Sequence, residues 1–219
     1  MDKPVWVKVN PNFPEPEKIR LATNTLMEDG LVVYPTETVY GLGANAISEK
    51  AVKKVFEVKR RDPGEPVSVA VSSLEMAKKI ANVTKDAEKI FRWLLPGPLT
   101  LVLQAKLGLP KLLMGGREKI GIRMPNSKVA LELVRMAGVP LTSTSANLSG
   151  GLEPSTAEEA VRQLGKRVDL ILDAGRCPIS LPSTVLDLTE DPPLILRKGP
   201  VSYKEVMAVL RAKGKTRTV

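Results

Sequence analysis

Three separated stretches put small polar groups and cations beside β-type apolar runs: YPTETVYGLG at 34–43, the basic triplet Lys59, Arg60 and Arg61, and STSANLSG at 143–150. Hydroxyls, a carboxamide, backbone N–H groups at glycines and fixed cations are what a protein needs to hold a polyphosphate. Each stretch also has a plainer reading. The first could be a structural turn with a hydroxyl at its end, Gly41 and Gly43 allowing tight turns or close ligand approach. The triplet closes an amphipathic run before Asp62-Pro-Gly, so it could be a favourable cap on a helix dipole or a contact for phosphates. The third could be a disordered polar loop, or a ligand site at a strand end, where α/β folds usually place one. Arg123 falls inside an apolar β-type run, GIRMP, and a buried arginine needs an anionic partner. That partner could be a side-chain carboxylate or the carboxylate or phosphate of a ligand. PSTV at 182–185 and LRKGP at 196–200 repeat the theme of a hydroxyl or cation at a strand end.

Composition removes whole classes of chemistry. The 219 residues include no histidine, which excludes a Ser-His-Asp triad, a Cys-His pair and imidazole metal sites. One cysteine, Cys177, rules out an intrachain disulfide and a structural zinc site, and fits a reducing, cytoplasmic compartment. The first residues carry no hydrophobic signal region, and every long apolar stretch is broken well short of a membrane span. The formal charge of +9 favours an anionic partner, either a nucleic acid or a phosphate-rich small ligand, or is simply a solvated basic surface. Two Trp, three Tyr and three Phe are few for a stacking platform on single strands. No Gly-rich dinucleotide fingerprint is present. Gly214-Lys-Thr216 imitates only the end of a phosphate-binding loop, with Val209 where its first glycine should be.

The elements that must position these groups alternate in period. Ile19, Ala22 and Leu26 mark a helix stopped by Gly30, and 31–34 reads as a buried strand. Ala51, Val52, Val55 and Phe56 share a helical face behind a Ser48 cap. Val67, Val69 and Val71 alternate as in a strand. Ala87, Ile90, Phe91 and Leu94 form a helix ended by Pro96-Gly-Pro98. Strands are expected at 99–103, 120–124, 139–142, 170–172, 185–188 and 194–196. Helices are expected around Val129–Ala137, after a Thr156–Glu159 capping box, and after a Ser202–Glu205 box. The sum is one α/β (α+β) domain over 1–212, with a mixed sheet and covering helices. The tail 213–219 is expected to fray.

Taken together, PTETVYGLG, K-x-R at 59–61, PGPLTLVL at 96–103, IRMP at 122–125, S-x-N at 145–147, PSTV and LRKGP resemble the YrdC-like family of threonylcarbamoyl-AMP synthases, in order and at compatible spacing over about 31–200. The resemblance implies a synthase joining L-threonine, bicarbonate and ATP into threonylcarbamoyl-adenylate with release of pyrophosphate. Mg²⁺ would come with the ATP, and a separate transferase would consume the product in tRNA modification. The resemblance also implies a twisted, open sheet with a concave basic cavity, and the chain looks like the catalytic domain alone. Lys59, Arg61, Ser145 and Asn147 match the family's ATP tetrad, with Lys59 and Arg61 as the catalytic cations. Arg197 matches its arginine near the nucleotide, and Lys119 and Ser155 align near further nucleotide contacts. Thr38, Arg123, Ser143 and Ser183 match the L-threonine site; the resemblance implies no protein-held metal. Two departures stand out: Glu65 where many members carry Asn, and Ala70 where many carry a threonine-site His. The competing readings are a double-stranded RNA or tRNA-binding module without ATP turnover, and a carbamoyl-adenylate module of the hydrogenase-maturation kind. The latter carries zinc-finger-like and acylphosphatase-like regions for which this chain lacks cysteines and length.

Overall fold

The computed structural model describes residues 3–212, so the expected frayed tail lies outside the described residues. The mixed α/β architecture is as expected, but the strands divide into two mixed sheets. The first runs in the order β1 (Val5–Lys8), β9 (Leu170–Asp173), β2 (Val32–Tyr34), β3 (Gly41–Gly43), β8 (Thr144–Ser145). The second runs β11 (Leu194–Arg197), β10 (Thr184–Asp187), β5 (Leu99–Gln104), β6 (Lys119–Arg123), β4 (Val69–Ala70), β7 (Leu141–Thr142). Parallel and antiparallel neighbours alternate in the second sheet: β10 lies parallel to β5, β5 antiparallel to β6, β6 parallel to β4.

The chain between β7 and β8 joins the sheets. Asn45 bridges to Leu141, Thr142 N–H donates to Ala44 O, and Thr142 Oγ1 donates to Leu42 O, while Ser145, three residues further on, pairs with Gly41. The segment from 143 is therefore a crossing from one sheet to the other, not a disordered loop.

Helices cover three faces. α1 (Pro16–Met27) and α5 (Lys128–Ala137) bury Ile19, Leu26, Val129 and Leu133 against one side of the first sheet. α2 (Glu49–Lys59) and α6 (Ala157–Leu164) bury Val55 and Leu164 against the other. α4 (Lys85–Leu94) and α7 (Tyr203–Arg211) cover the second sheet with Ile90, Phe91 and Val206. Burying side chains of this size stabilises by about 1.5–3 kcal/mol each. The period-2 pleat then leaves the opposite face of that sheet free. Leu99, Leu101, Leu103, Ile120 and Ile122 point to the core, and Thr100, Val102, Gln104, Lys119, Gly121 and Arg123 point away from it, into a cavity.

Several local expectations shift. α1 ends at Met27, and the left-handed residue behind it is Asp29, not Gly30. Gly41 and Gly43 make no turn. They are strand residues, and a Cβ on either would meet the Tyr34 ring at 3.0 Å, so their absent side chains make room for that ring. The Ser202–Glu205 capping box is complete. The box at α6 is displaced: Thr156 Oγ1 accepts from Glu159 N–H, but the Glu159 carboxylate accepts from Ser155 N–H and Oγ. β1, β3, β8 and α3 (Leu74–Ile80, capped by Ser73) have too short a pattern to stand out in the sequence.

Candidate functional site

The cavity between the sheets has a volume of about 880 Å³. Its floor is the free face of the second sheet, with Arg123 opposite Thr100, Gly121 opposite Val102 and Lys119 opposite Gln104. Its wall is the β7–β8 crossing and the end of α2. Gly121 is required there, because a Cβ would collide with the Ser68 hydroxyl, which also lines the cavity.

Lys59 is the last residue of α2 and only 1% exposed. Its Nζ donates to Ser145 O, Asn147 O and Asn147 Oδ1, all within 3.3 Å, so all three ammonium donors are used. Burial first, and the neighbouring charge of Arg61 second, push its pKa down to about 7. Asn147 Nδ2 donates to Gly151 O at 2.6 Å, and Ser149 N–H donates to Lys59 O at 2.9 Å. Helix end and polar segment are therefore one hydrogen-bonded unit. Arg60 caps α2 in the left-handed region at φ 52, and Arg61 N–H returns to Phe56 O. The triplet is both a helix cap and part of the cavity wall. The Arg61 side chain lines the cavity, with Nε donating to Glu65 O and Nη2 to Pro66 O.

Arg123 is 6% exposed. Its Nη2 donates to Glu37 Oε1 at 2.9 Å and to Thr38 Oγ1 at 3.1 Å. Thr38 is fully buried and reaches the cavity only through Arg123; it is not itself a lining residue. Ser143, Ser183 and Arg197 do line it. Ser183 Oγ shares a hydrogen bond with Thr100 Oγ1 at 2.9 Å and accepts from Arg197 Nη2 at 3.1 Å. Burial lowers the Arg197 pKa, opposed by Glu153 3.8 Å away. Lys119 stands at one end between Asp187 (3.2 Å) and Glu190 (2.7 Å), which raise its pKa, Glu190 more strongly.

One expected site residue does not join the rest. Ser155 is not among the lining residues, and its hydroxyl is engaged by Glu159 and Arg176 at the start of α6. The two departures resolve locally. Glu65 is exposed and pairs with Arg61 at 3.5 Å, so a base sits between it and the cavity. Ala70 is fully buried in the cluster with α1 and α5, not in the cavity lining; Ser68, two residues earlier, takes the inward position. Sequence reasoning missed Ser68, Gln104 and Glu37. Ser68 could have been found from the alternation of Val67, Val69 and Val71, whose intervening residue must face the other way.

Among the described residues no group of three or more Asp, Glu, Cys or His side chains could cage a metal, and no helix is long and apolar enough to cross a membrane.

The chain matches the Sua5/YciO/YrdC family, described as "Telomere recombination", over residues 24–199. It is 39% identical over 194 residues to a threonylcarbamoyl-AMP synthase of Pyrococcus abyssi, covering 88% of this chain and 57% of that protein. It is 38% identical over 181 residues to a putative threonylcarbamoyl-AMP synthase of Methanocaldococcus jannaschii, covering 83% and 85%. Among solved structures, Pyrococcus abyssi Sua5 complexed with L-threonine superposes with a TM-score of 0.91 at 38% identity, covering 94% of this chain and 61% of that one. E. coli YciO superposes with a TM-score of 0.84 at 28% identity, covering 93% and 99%. The chain thus spans a little over half the length of its Pyrococcus relative.

Proposed function

The chain belongs to the Sua5/YciO/YrdC family, and we propose that it is a threonylcarbamoyl-AMP synthase, a nucleotidyltransferase that converts L-threonine, bicarbonate and ATP to threonylcarbamoyl-adenylate and pyrophosphate. The observation that carries this reading is the convergence of Lys59, Arg61, Ser145, Asn147 and Arg197 with Arg123, Ser143 and Ser183 on one cavity, from positions up to 138 residues apart. Its volume lies within the ~300–1,000 Å³ usual for small-ligand sites, and a concave hollow of that size suits a nucleotide and an amino acid better than duplex RNA.

Lys59 and Arg61 would take the triphosphate, with Ser145 and Asn147 offering hydrogen bonds from the segment that Lys59 holds in place. Arg197 would lie on the nucleotide, with Lys119 toward the far end. Arg123 would receive the amino-acid carboxylate, Ser143 and Ser183 would surround that end, and Thr38 would act from behind by holding Arg123. The threonine nitrogen and bicarbonate give a carbamate with loss of water. A carbamate oxygen attacks the α-phosphorus, the bond to the bridging oxygen breaks, and pyrophosphate leaves with that electron pair. The protein's part is alignment and stabilisation of charge on the departing group, for which a chain without histidine is equipped. Mg²⁺ supplies further charge neutralisation when bound. Glu118, Glu153 and Asp187 in the cavity each have a nitrogen partner on Gln104, Arg197 or Lys119, which fits a metal carried in on the triphosphate. A tRNA-modifying transferase would consume the adenylate in the cytoplasm.

The test is pyrophosphate release with ATP and bicarbonate, with L-threonine, with L-serine and with no amino acid. Strict dependence on threonine is expected. Release indifferent to the amino acid, or salt-sensitive binding of RNA with no ATP turnover, would overturn the reading.

A further inference from the structure

Resting on that reading, we propose that Glu37 is a positioning residue for the amino-acid subsite: its carboxylate fixes the Arg123 guanidinium so that the donors left over meet the carboxylate of L-threonine.

Glu37 and Arg123 are 5% and 6% exposed, and their contact is a single bond from Nη2 to Oε1 at 2.9 Å. The fork-to-fork arrangement that a carboxylate and a guanidinium usually adopt would use two nitrogens and two oxygens. Here the second oxygen and a second nitrogen go unused: Glu37 Oε2 and Arg123 Nε are buried without a hydrogen-bond partner. Buried polar atoms are nearly always paired, so two orphans on the two members of one ion pair mark an incomplete site, not a finished structural bridge. The Nη2 hydrogens go to Glu37 and Thr38, and Nε is buried, which leaves Nη1 as the donor open to an incoming acceptor.

The rest of the neighbourhood holds Glu37 still. Ser127 Oγ donates to Pro35 O, Thr36 Oγ1 donates to Val39 O, and Ile179 N–H donates to Glu37 O at 3.0 Å. Among the described residues Glu37 is the one salt-bridge partner of Arg123. The nearby Cys177 thiol cannot stand in for it, because burial pushes its pKa up to about 11 and keeps it neutral. Arg197 adds a like charge close enough for Arg123 to lower its pKa. Without Glu37 two guanidiniums would face one hollow with only the Thr38 hydroxyl holding the buried one.

The experiment measures equilibrium binding of L-threonine and, separately, of ATP by calorimetry, with steady-state pyrophosphate release, on the full chain and on Glu37→Gln. The variant keeps shape and one acceptor oxygen but loses the charge. The expected result is a tenfold or greater loss of threonine affinity and a matching rise in the threonine KM, with ATP affinity changed less than twofold. Glu37→Asp retains the charge on a shorter stem, folds if Glu37→Gln does not, and should lose threonine affinity to a smaller degree. Unchanged threonine affinity in a folded variant, or equal losses for threonine and ATP, would overturn the proposal while leaving the synthase reading intact. Absence of threonine binding by the unaltered chain would instead sink the synthase reading, and this inference with it.

Discussion

The two ends of the cavity treat their buried cations in opposite ways. Lys59 is held entirely by neutral oxygens, two main-chain carbonyls and one carboxamide. Arg123 is held by a carboxylate and a hydroxyl. Neutral acceptors orient an ammonium without cancelling its charge, so the Lys59 end keeps a net positive field for a polyanion. An ionic partner cancels charge and leaves direction, so the Arg123 end keeps an ordered set of donors suited to discriminating shape. Buried cations in one hollow can thus play different parts, with attraction supplied at one end and selection at the other.

The strongest challenge to this contrast is Lys59→Met. It removes the charge and frees three oxygens, and pyrophosphate release should fall by at least about 100-fold, corresponding to ~2.7 kcal/mol or more of transition-state stabilisation. A fall of less than threefold would show that the Lys59 end does not act through charge. A second prediction concerns pH. With a pKa near 7 in the ligand-free protein, Lys59 carries its proton below that value and loses it above. A bound triphosphate favours the ammonium and lifts the pKa again, so binding above pH 7 must take up a proton. ATP affinity should therefore weaken as pH rises from 7 to 9, by up to about tenfold per unit, and the slope should vanish in Lys59→Met. Threonine affinity, governed by an arginine, should not follow that slope over the same range. Binding titrations at pH 6.5, 7.5 and 8.5 read both.

Asn147→Ala separates the two ends more finely. It removes one acceptor from Lys59 and the bond to Gly151 O, and should weaken ATP binding about tenfold through ~1.5 kcal/mol while sparing threonine, as calorimetry would read. The smallest effect on function is expected at Ser155. Ser155→Ala should lower stability by ~1 kcal/mol through the α6 cap and leave both affinities within about twofold, as read by denaturant unfolding and calorimetry.

The sequence is readable where pattern and chemistry coincide. Apolar residues at period 2 announce β5 and β6, and the same alternation puts Arg123 and Thr100 on the face opposite Leu101 and Ile122. The Ser202–Glu205 box announces α7. What stayed hidden depends on distant pairing. β8 is two residues long and pairs with β3, Ser145 meeting Gly41 about a hundred residues away, while β3 itself is three residues long and pairs locally with β2. Gly41 and Gly43 carry no local sign that an aromatic ring will lie on them. The partner of Arg123 was open between a ligand and a side chain, and the structure gives it Glu37 with donors to spare.

Arg60 has one further consequence. Successive residues on an α-helix are rotated by about 100°, so two side chains separated by one residue diverge by roughly 200° and serve opposite faces. Lys59 and Arg61 reach the same hollow because the residue between them adopts a left-handed backbone at the moment the helix stops. The K-x-R spacing is thus less a pair of adjacent charges than a swivel. A proline in place of Arg60, unable to take a positive φ, would carry the second cation away from the first without altering either.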